Sequence, residues 1–128
     1  MHRKYLVLLA SALVAALVYA ATAFSSSTSI PTLKGVVGPG FTISLKKGGK
    51  MVKRLKAGRY RFVVTDKASI HNFTVEREHP SSPSIEKHIT STPFTGRKTM
   101  IIRLKPGSWR YYCSVHEAQM HHDFRVVR

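Results

Sequence analysis

One cysteine in 128 residues stands in Tyr111-Tyr112-Cys113-Ser114-Val115-His116, with Met120 just beyond and His71 far upstream in Ile70-His71-Asn72-Phe73. A thiolate, two imidazoles and a thioether form a coherent set of donors. Sulfur ligands are soft and suit copper, above all Cu(I), and two His, one Cys and a long axial Met is the ligand set of one-electron copper centres. The expected cofactor is one copper per chain, cycling between Cu(I) and Cu(II), with His71, Cys113, His116 and Met120 as its ligands.

Those residues can meet only if secondary structure brings them together. A Cys at the end of a strand, a His three residues on and a Met four after that can turn inward from one loop, so the second His must come from elsewhere in the fold. Between Ile70 and Arg77, the two-residue strand period puts His71, Phe73 and Val75 on one face, and Trp109, Tyr111 and Cys113 share a face in the same way. Two inward-facing ligands at strand ends can therefore meet at one end of a β-sandwich. Zinc is the rival metal, but structural zinc sites use paired Cys or His spacings without Met. His79, His88, His121 and His122 read as surface residues, although His121 and His122 beside Met120 could pass on an ion.

From about Phe41 to Arg128 the chain resembles a cupredoxin of the small plastocyanin- and azurin-like kind found in secreted bacterial proteins. The resemblance rests on His71-Asn72 and on Cys113, His116 and Met120. It implies a copper held by a His from an interior strand and by a Cys, a His and a Met from the loop between the last two strands. It also implies that Asn72 pins the Cys loop by hydrogen bonding, as metal-site partners commonly do, and that electrons enter at the edge of His116. The chain departs from many relatives in carrying Ser114-Val115 where a Pro precedes the loop His, and family members differ in the length of the gap between the loop His and the Met. A one-electron carrier, not an enzyme, is the function implied. An extracytoplasmic Cu(I) chaperone or store is the alternative.

The N-terminus reads as a targeting segment: basic Met1-His2-Arg3-Lys4, an apolar run from Tyr5 to Val18, then Ala21-Thr22-Ala23 as a small-residue cleavage pattern. Residues 1–23 are expected to be a signal peptide, with an uncleaved membrane anchor as the alternative, because the run approaches the roughly 17 residues that span a bilayer. Periplasmic or extracellular location follows. In such an oxidising compartment a single Cys calls for a special role, and metal ligation supplies one. Without Arg3 and Lys4 the exported chain keeps 19 of the 21 Lys and Arg against all 6 acids, a formal charge of +13. That field attracts anions, so an acidic redox protein and an anionic envelope surface are the expected partners. Much of the charge lies between Lys46 and Lys56, an expected exposed hairpin. No nucleic acid is expected in the exported compartment, and a monomer is expected.

Residues 24–32, with Ser25-Ser26-Ser27-Thr28-Ser29, read as a polar linker, and residues 33–128 as one copper-binding domain. Strands are expected at Lys34 to Val37, at Phe41 to Leu45, and at Met51 to Leu55 as hairpin partner across Gly48-Gly49. Further strands are expected at Arg59 to Asp66, around His71, at Thr99 to Lys105, at Trp109 to Cys113, and at Phe124 to Val126. Seven or eight short strands with turn signals between them predict an all-β Greek-key sandwich. The stretch 78–98, with Pro80, Pro83 and Pro93, is long enough to hold an edge strand or a short helix.

Overall fold

A computed structural model describes residues 27–79 and 85–128. The expected signal peptide and the first residues of the linker lie outside the described residues. Ten strands form two five-stranded sheets. They are β1 (Thr32–Val37), β2 (Ile43–Lys47), β3 (Lys50–Met51), β4 (Arg54–Lys56), β5 (Gly58–Asp66), β6 (Thr74–His79), β7 (Ile85–His88), β8 (Gly96–Leu104), β9 (Gly107–Tyr112) and β10 (His121–Val127). One sheet runs β3-β2-β1-β5-β8 and the other β4-β10-β9-β6-β7. Each is mixed, because β1 lies parallel to β5 and β4 parallel to β10 while the remaining pairs are antiparallel.

The alternation written in the strands explains the layers. Along β5, Tyr60, Phe62 and Val64 turn inward while Arg59 and Arg61 face solvent, and across the ladder Ile102 and Leu104 of β8 turn inward as well. The facing sheet contributes Val75, Trp109, Tyr111, Phe124 and Val126. Phe73 and Tyr111 stack with ring centroids 5.7 Å apart and nearly parallel planes. β1 passes so close over this stack that a Cβ on Gly35 would stand 2.9 Å from both Phe73 and Val64. Glycine is required there by close approach, and the contact ties the segment carrying His71 to the first sheet.

The strand count exceeds the expected seven or eight for two physical reasons. The expected hairpin partner Met51 to Leu55 is split: the Val52 amide still bonds the Leu45 carbonyl (2.9 Å), but the Lys53 carbonyl accepts from Arg125 (3.0 Å), so the chain changes sheets between them. Val52 and Leu55 are both buried at this crossing. The unplaced stretch supplies β7, an edge strand paired with β6. The expected strand through His71 also starts late. The amides of His71, Asn72 and Phe73 go to the Ala68 carbonyl (3.1 Å), Cys113 Sγ (3.4 Å) and Thr90 Oγ1 (2.9 Å), so the ladder begins only at Thr74.

Candidate metal centre

β9 ends at Tyr112 and β10 begins at His121, so Cys113 to Met120 closes one end of the sandwich. The loop is a tight coil held by its own backbone. The His116 amide bonds the Cys113 carbonyl (3.1 Å), the Gln119 and Met120 amides bond the His116 carbonyl (3.1 and 2.9 Å), and the Cys113 amide bonds the Met120 carbonyl (3.0 Å). His71 arrives at the same end from the segment before β6.

Three of the four expected ligands converge. His71 Nδ1 and His116 Nδ1 are 3.1 Å apart, and Cys113 Sγ lies 3.9 Å from the first and 3.8 Å from the second. Among the described residues these form a cluster of donors able to hold one ion. The distances themselves test the fit. A single point in the plane of the three atoms stands about 2.0 Å from each nitrogen and about 2.2 Å from the sulfur, against typical metal bonds of about 2.0 Å to His and about 2.3 Å to Cys. Cys113 and His71 are fully buried, His116 is half-buried, and Met120 is buried at the end of the same loop. His71 Nε2 is buried without a hydrogen-bond partner, so only its Nδ1 faces another donor group.

Side chains around the cluster hold it in place. The Asn72 amide group donates from Nδ2 to Ser114 Oγ (2.7 Å), and Asn72 Oδ1 accepts from the Ser114 backbone amide (2.8 Å), so one side chain bridges the two ligand-bearing segments. The pinning role implied for Asn72 is therefore visible as geometry. Asp66, buried at the end of β5, accepts from Thr90 Oγ1 (2.7 Å) and from the Ala68 amide (3.2 Å), and Thr90 Oγ1 in turn accepts from Phe73. That relay fixes the turn on which His71 is mounted. Phe41, at the start of the β1–β2 loop's return, lays its ring edge-on against both His71 and His116, at centroid distances of 5.5 and 4.9 Å.

Phe41, Asp66, Thr90 and Ser114 were not legible as site residues. The strand expected from Phe41 to Leu45 begins only at Ile43, so Phe41 lies outside the ladder with its ring on the two imidazoles. The remaining histidines of the described residues stand apart from the cluster. His79 is exposed on β6, His88 accepts or donates at Thr74 Oγ1 (2.9 Å) beside Glu86, His121 Nδ1 bonds the Glu117 carbonyl (2.7 Å), and the His122 ring lies 5.4 Å from that of Tyr111. Glu117, next to the loop histidine, is engaged by Arg110 (2.9 Å), which also binds Asp123 and Glu78. These carboxylates hold the Arg110 guanidinium firmly charged, chiefly through Asp123, and Arg110 holds the Asp123 carboxyl below the ordinary range.

No family model matches the sequence, and no curated protein is similar to it. Solved structures do match. Rusticyanin, described as a copper protein, superposes with a TM-score of 0.53 at 16% identity, covering 75% of this chain and 76% of its own. Reduced rusticyanin gives 0.50 at 18% identity over 75% and 78%. A multi-copper oxidase from Pediococcus acidilactici gives 0.53 at 13% identity, with 78% of this chain covering 27% of that one. At these identities the likeness concerns the fold.

Proposed function

We propose that this chain, whose fold is the cupredoxin β-sandwich, is an exported mononuclear copper protein that carries one electron at a time. The observation that carries the reading is the convergence of two imidazole Nδ1 atoms and one thiol sulfur on a single point at one end of the sandwich. His71, Cys113 and His116 would hold the metal, with Met120 as the weak fourth donor. When bound, copper in such a set supplies reversible one-electron chemistry, because the donors suit both of its oxidation states.

The chain's own residues supply the rest. The packing that buries Cys113, His71 and Met120 keeps water from the sulfur donors, and the Asn72 bridge and the Asp66–Thr90 relay keep the ligand segments from rearranging between states. His116 is the ligand that reaches the surface. Phe41 packs on it, Val115 precedes it in the loop and Ile70 precedes His71, and their exposures of 55, 53 and 56% make them the most exposed large apolar side chains among the described residues. An apolar surface beside an exposed ligand edge is one on which a redox partner can seat at short distance.

The test is direct. Oxidised, copper-loaded protein should show an intense visible thiolate-to-copper band, and Cys113→Ser should abolish it while leaving the fold intact by circular dichroism. Copper binding without colour in the oxidised protein would refute the assignment.

A further inference from the structure

The strand directions divide the basic charge of this protein unevenly between the two ends of the sandwich. β1, β5 and β9 run toward the metal end, so the opposite end is formed by their first residues, by the last residues of β2, β8 and β10, and by β4, which pairs with the end of β10. Lys46, Lys47 and Lys50 flank the β2–β3 turn there, and Arg54 and Lys56 come from β4. Two cross-strand pairs are arginine on both sides: Arg59 faces Arg103, and Arg54 faces Arg125.

Like charges set directly opposite one another destabilise a sheet, and here nothing within the chain offsets them. Every ion pair of the described residues involves Arg110 or His88. The acids lie on the second sheet or at the metal end, and Glu78, the nearest along β6, is taken by Arg110 at 3.3 Å. Between the two sheets at this basic end opens a cleft of about 460 Å³, its rim formed by Lys47, Arg54 and Lys56 and its walls by Leu55, Tyr60 and Val127. Lys47 Nζ stands 5.7 Å over the Tyr60 ring. Cations around an apolar-walled cleft match an amphiphile: a phosphate for the rim, hydrocarbon for the walls. The chain preceding β1 enters here too, since the Pro31 carbonyl accepts from the Arg61 amide (2.8 Å) and Thr28 to Pro31 lie against Arg59.

We propose that this end is a docking surface for a bilayer rich in anionic phospholipid, with headgroup phosphates among the Lys47, Arg54, Lys56 and Arg59–Arg103 cations. The metal end then faces away from the bilayer. The nine-residue strands β5 and β8 are about 30 Å long, several times the Debye length of about 8 Å at physiological ionic strength. The His116 edge is therefore outside the membrane's screened field, and the apolar surface beside it stays open to a partner. A bilayer is favoured over a linear polyanion because Lys47, Arg54 and Lys56 share one cleft with the apolar side chains of Leu55, Tyr60 and Val127 at one end of the sandwich. The proposal does not depend on the metal.

Vesicle co-sedimentation of the full chain tests it, with phosphatidylglycerol-containing vesicles compared against pure phosphatidylcholine so that any apolar contribution of residues 1–26 cancels. The quadruple variant Lys47→Gln, Arg54→Gln, Lys56→Gln, Arg59→Gln should lose the preference for anionic vesicles by on the order of several hundredfold, since each basic residue at an anionic surface contributes about fivefold. A control with equal loss of charge at the metal end, Lys67→Gln, Lys87→Gln, Arg97→Gln, Lys98→Gln, should bind within a few-fold of the parent. Thermal melting keeps the comparison interpretable: relieving the arginine pairs should leave the melting point of the first variant unchanged or higher, and Arg103→Gln alone should show the same sign. Equal losses in both quadruple variants would overturn the proposal in favour of unspecific charge attraction. Binding to soluble polyphosphate without binding to anionic vesicles would overturn it in favour of a linear polyanion.

Discussion

Asn72 is the residue through which the rigidity of the cluster can be measured without touching a ligand. Asn72→Ala removes the 2.7 Å bond to Ser114 Oγ and the 2.8 Å bond from the Ser114 amide, while the backbone bond from Asn72 to Cys113 Sγ remains. Each lost bond costs about 1 kcal/mol net, and the Ser114 amide left without a partner adds about 1 more, so the fold should lose roughly 2–3 kcal/mol. For a domain of this size that lowers the melting point by roughly 10–20 °C. The third contact, Thr74 Oγ1 to Asn72 Oδ1 at 3.5 Å, is too long to add to the sum. Metal affinity should fall by about 10–100-fold, the usual cost of removing a partner that orients a ligand segment. Denaturant melts of the metal-free and copper-loaded protein give both numbers, and Ser114→Ala, combined singly and doubly with Asn72→Ala, gives the coupling energy, expected at about 1 kcal/mol. A change below about 0.5 kcal/mol in both forms, or no coupling between the two positions, would show that the loop coils in place by its own backbone bonds and that the bridge is incidental.

Three further expectations follow from neighbouring features. Met120→Gln, which exchanges a soft donor for a hard one, should lower the reduction potential measured by voltammetry while retaining the visible thiolate-to-copper band; an unchanged potential would remove Met120 from the ligand set. Phe41→Ser should slow electron self-exchange between copies, read by NMR line broadening, without moving the visible band, because the ring packs on both imidazoles from the solvent side; self-exchange that stays as fast would place the contact surface elsewhere. Tyr111 is fully buried with no hydrogen-bond partner for its hydroxyl, and burial pushes its ionisation from 10.0 up to about 12. A raised value means the unfolded chain ionises first, so stability present below pH 10 should fall by roughly 3 kcal/mol between pH 10 and 12, and Tyr111→Phe should flatten that part of the alkaline unfolding curve.

What could be read from the sequence was what depends on local period and residue chemistry. The inward faces of β5, β8 and β9 follow from alternation, and ligand type, loop spacing, strand parity and the family resemblance together singled out His71, Cys113 and His116, which the fold brings within bonding distance of one point. The strand boundary at His71 was misplaced because hydrogen-bond donors there are satisfied by a sulfur and a threonine hydroxyl from distant parts of the chain, and no local pattern reveals such partners. The Asp66–Thr90 relay was invisible for the same reason, its members lying 24 residues apart.

Charge shows the limit most clearly. Lys46 to Lys56 reads in sequence as one basic hairpin, a natural docking face for an acidic redox partner. In the fold the segment divides between two sheets and lies at the end opposite His116, where it meets Arg59, Arg103 and Arg125 from three other strands. Strand direction and register decide this, and both are set by long-range pairing. The consequence is kinetic. If electron exchange occurs at the His116 edge, the basic end acts on an encounter only through its screened long-range field, so adding salt should slow reduction by an acidic partner modestly and speed self-exchange between two copies that repel one another. Neutralising Lys46, Lys47, Lys50 and Lys53 should weaken both salt effects while leaving the rates extrapolated to high salt unchanged. A large drop in the high-salt rate with those four substitutions would mean that the partner touches the basic end, and the His116 edge would lose its assignment as the exchange surface.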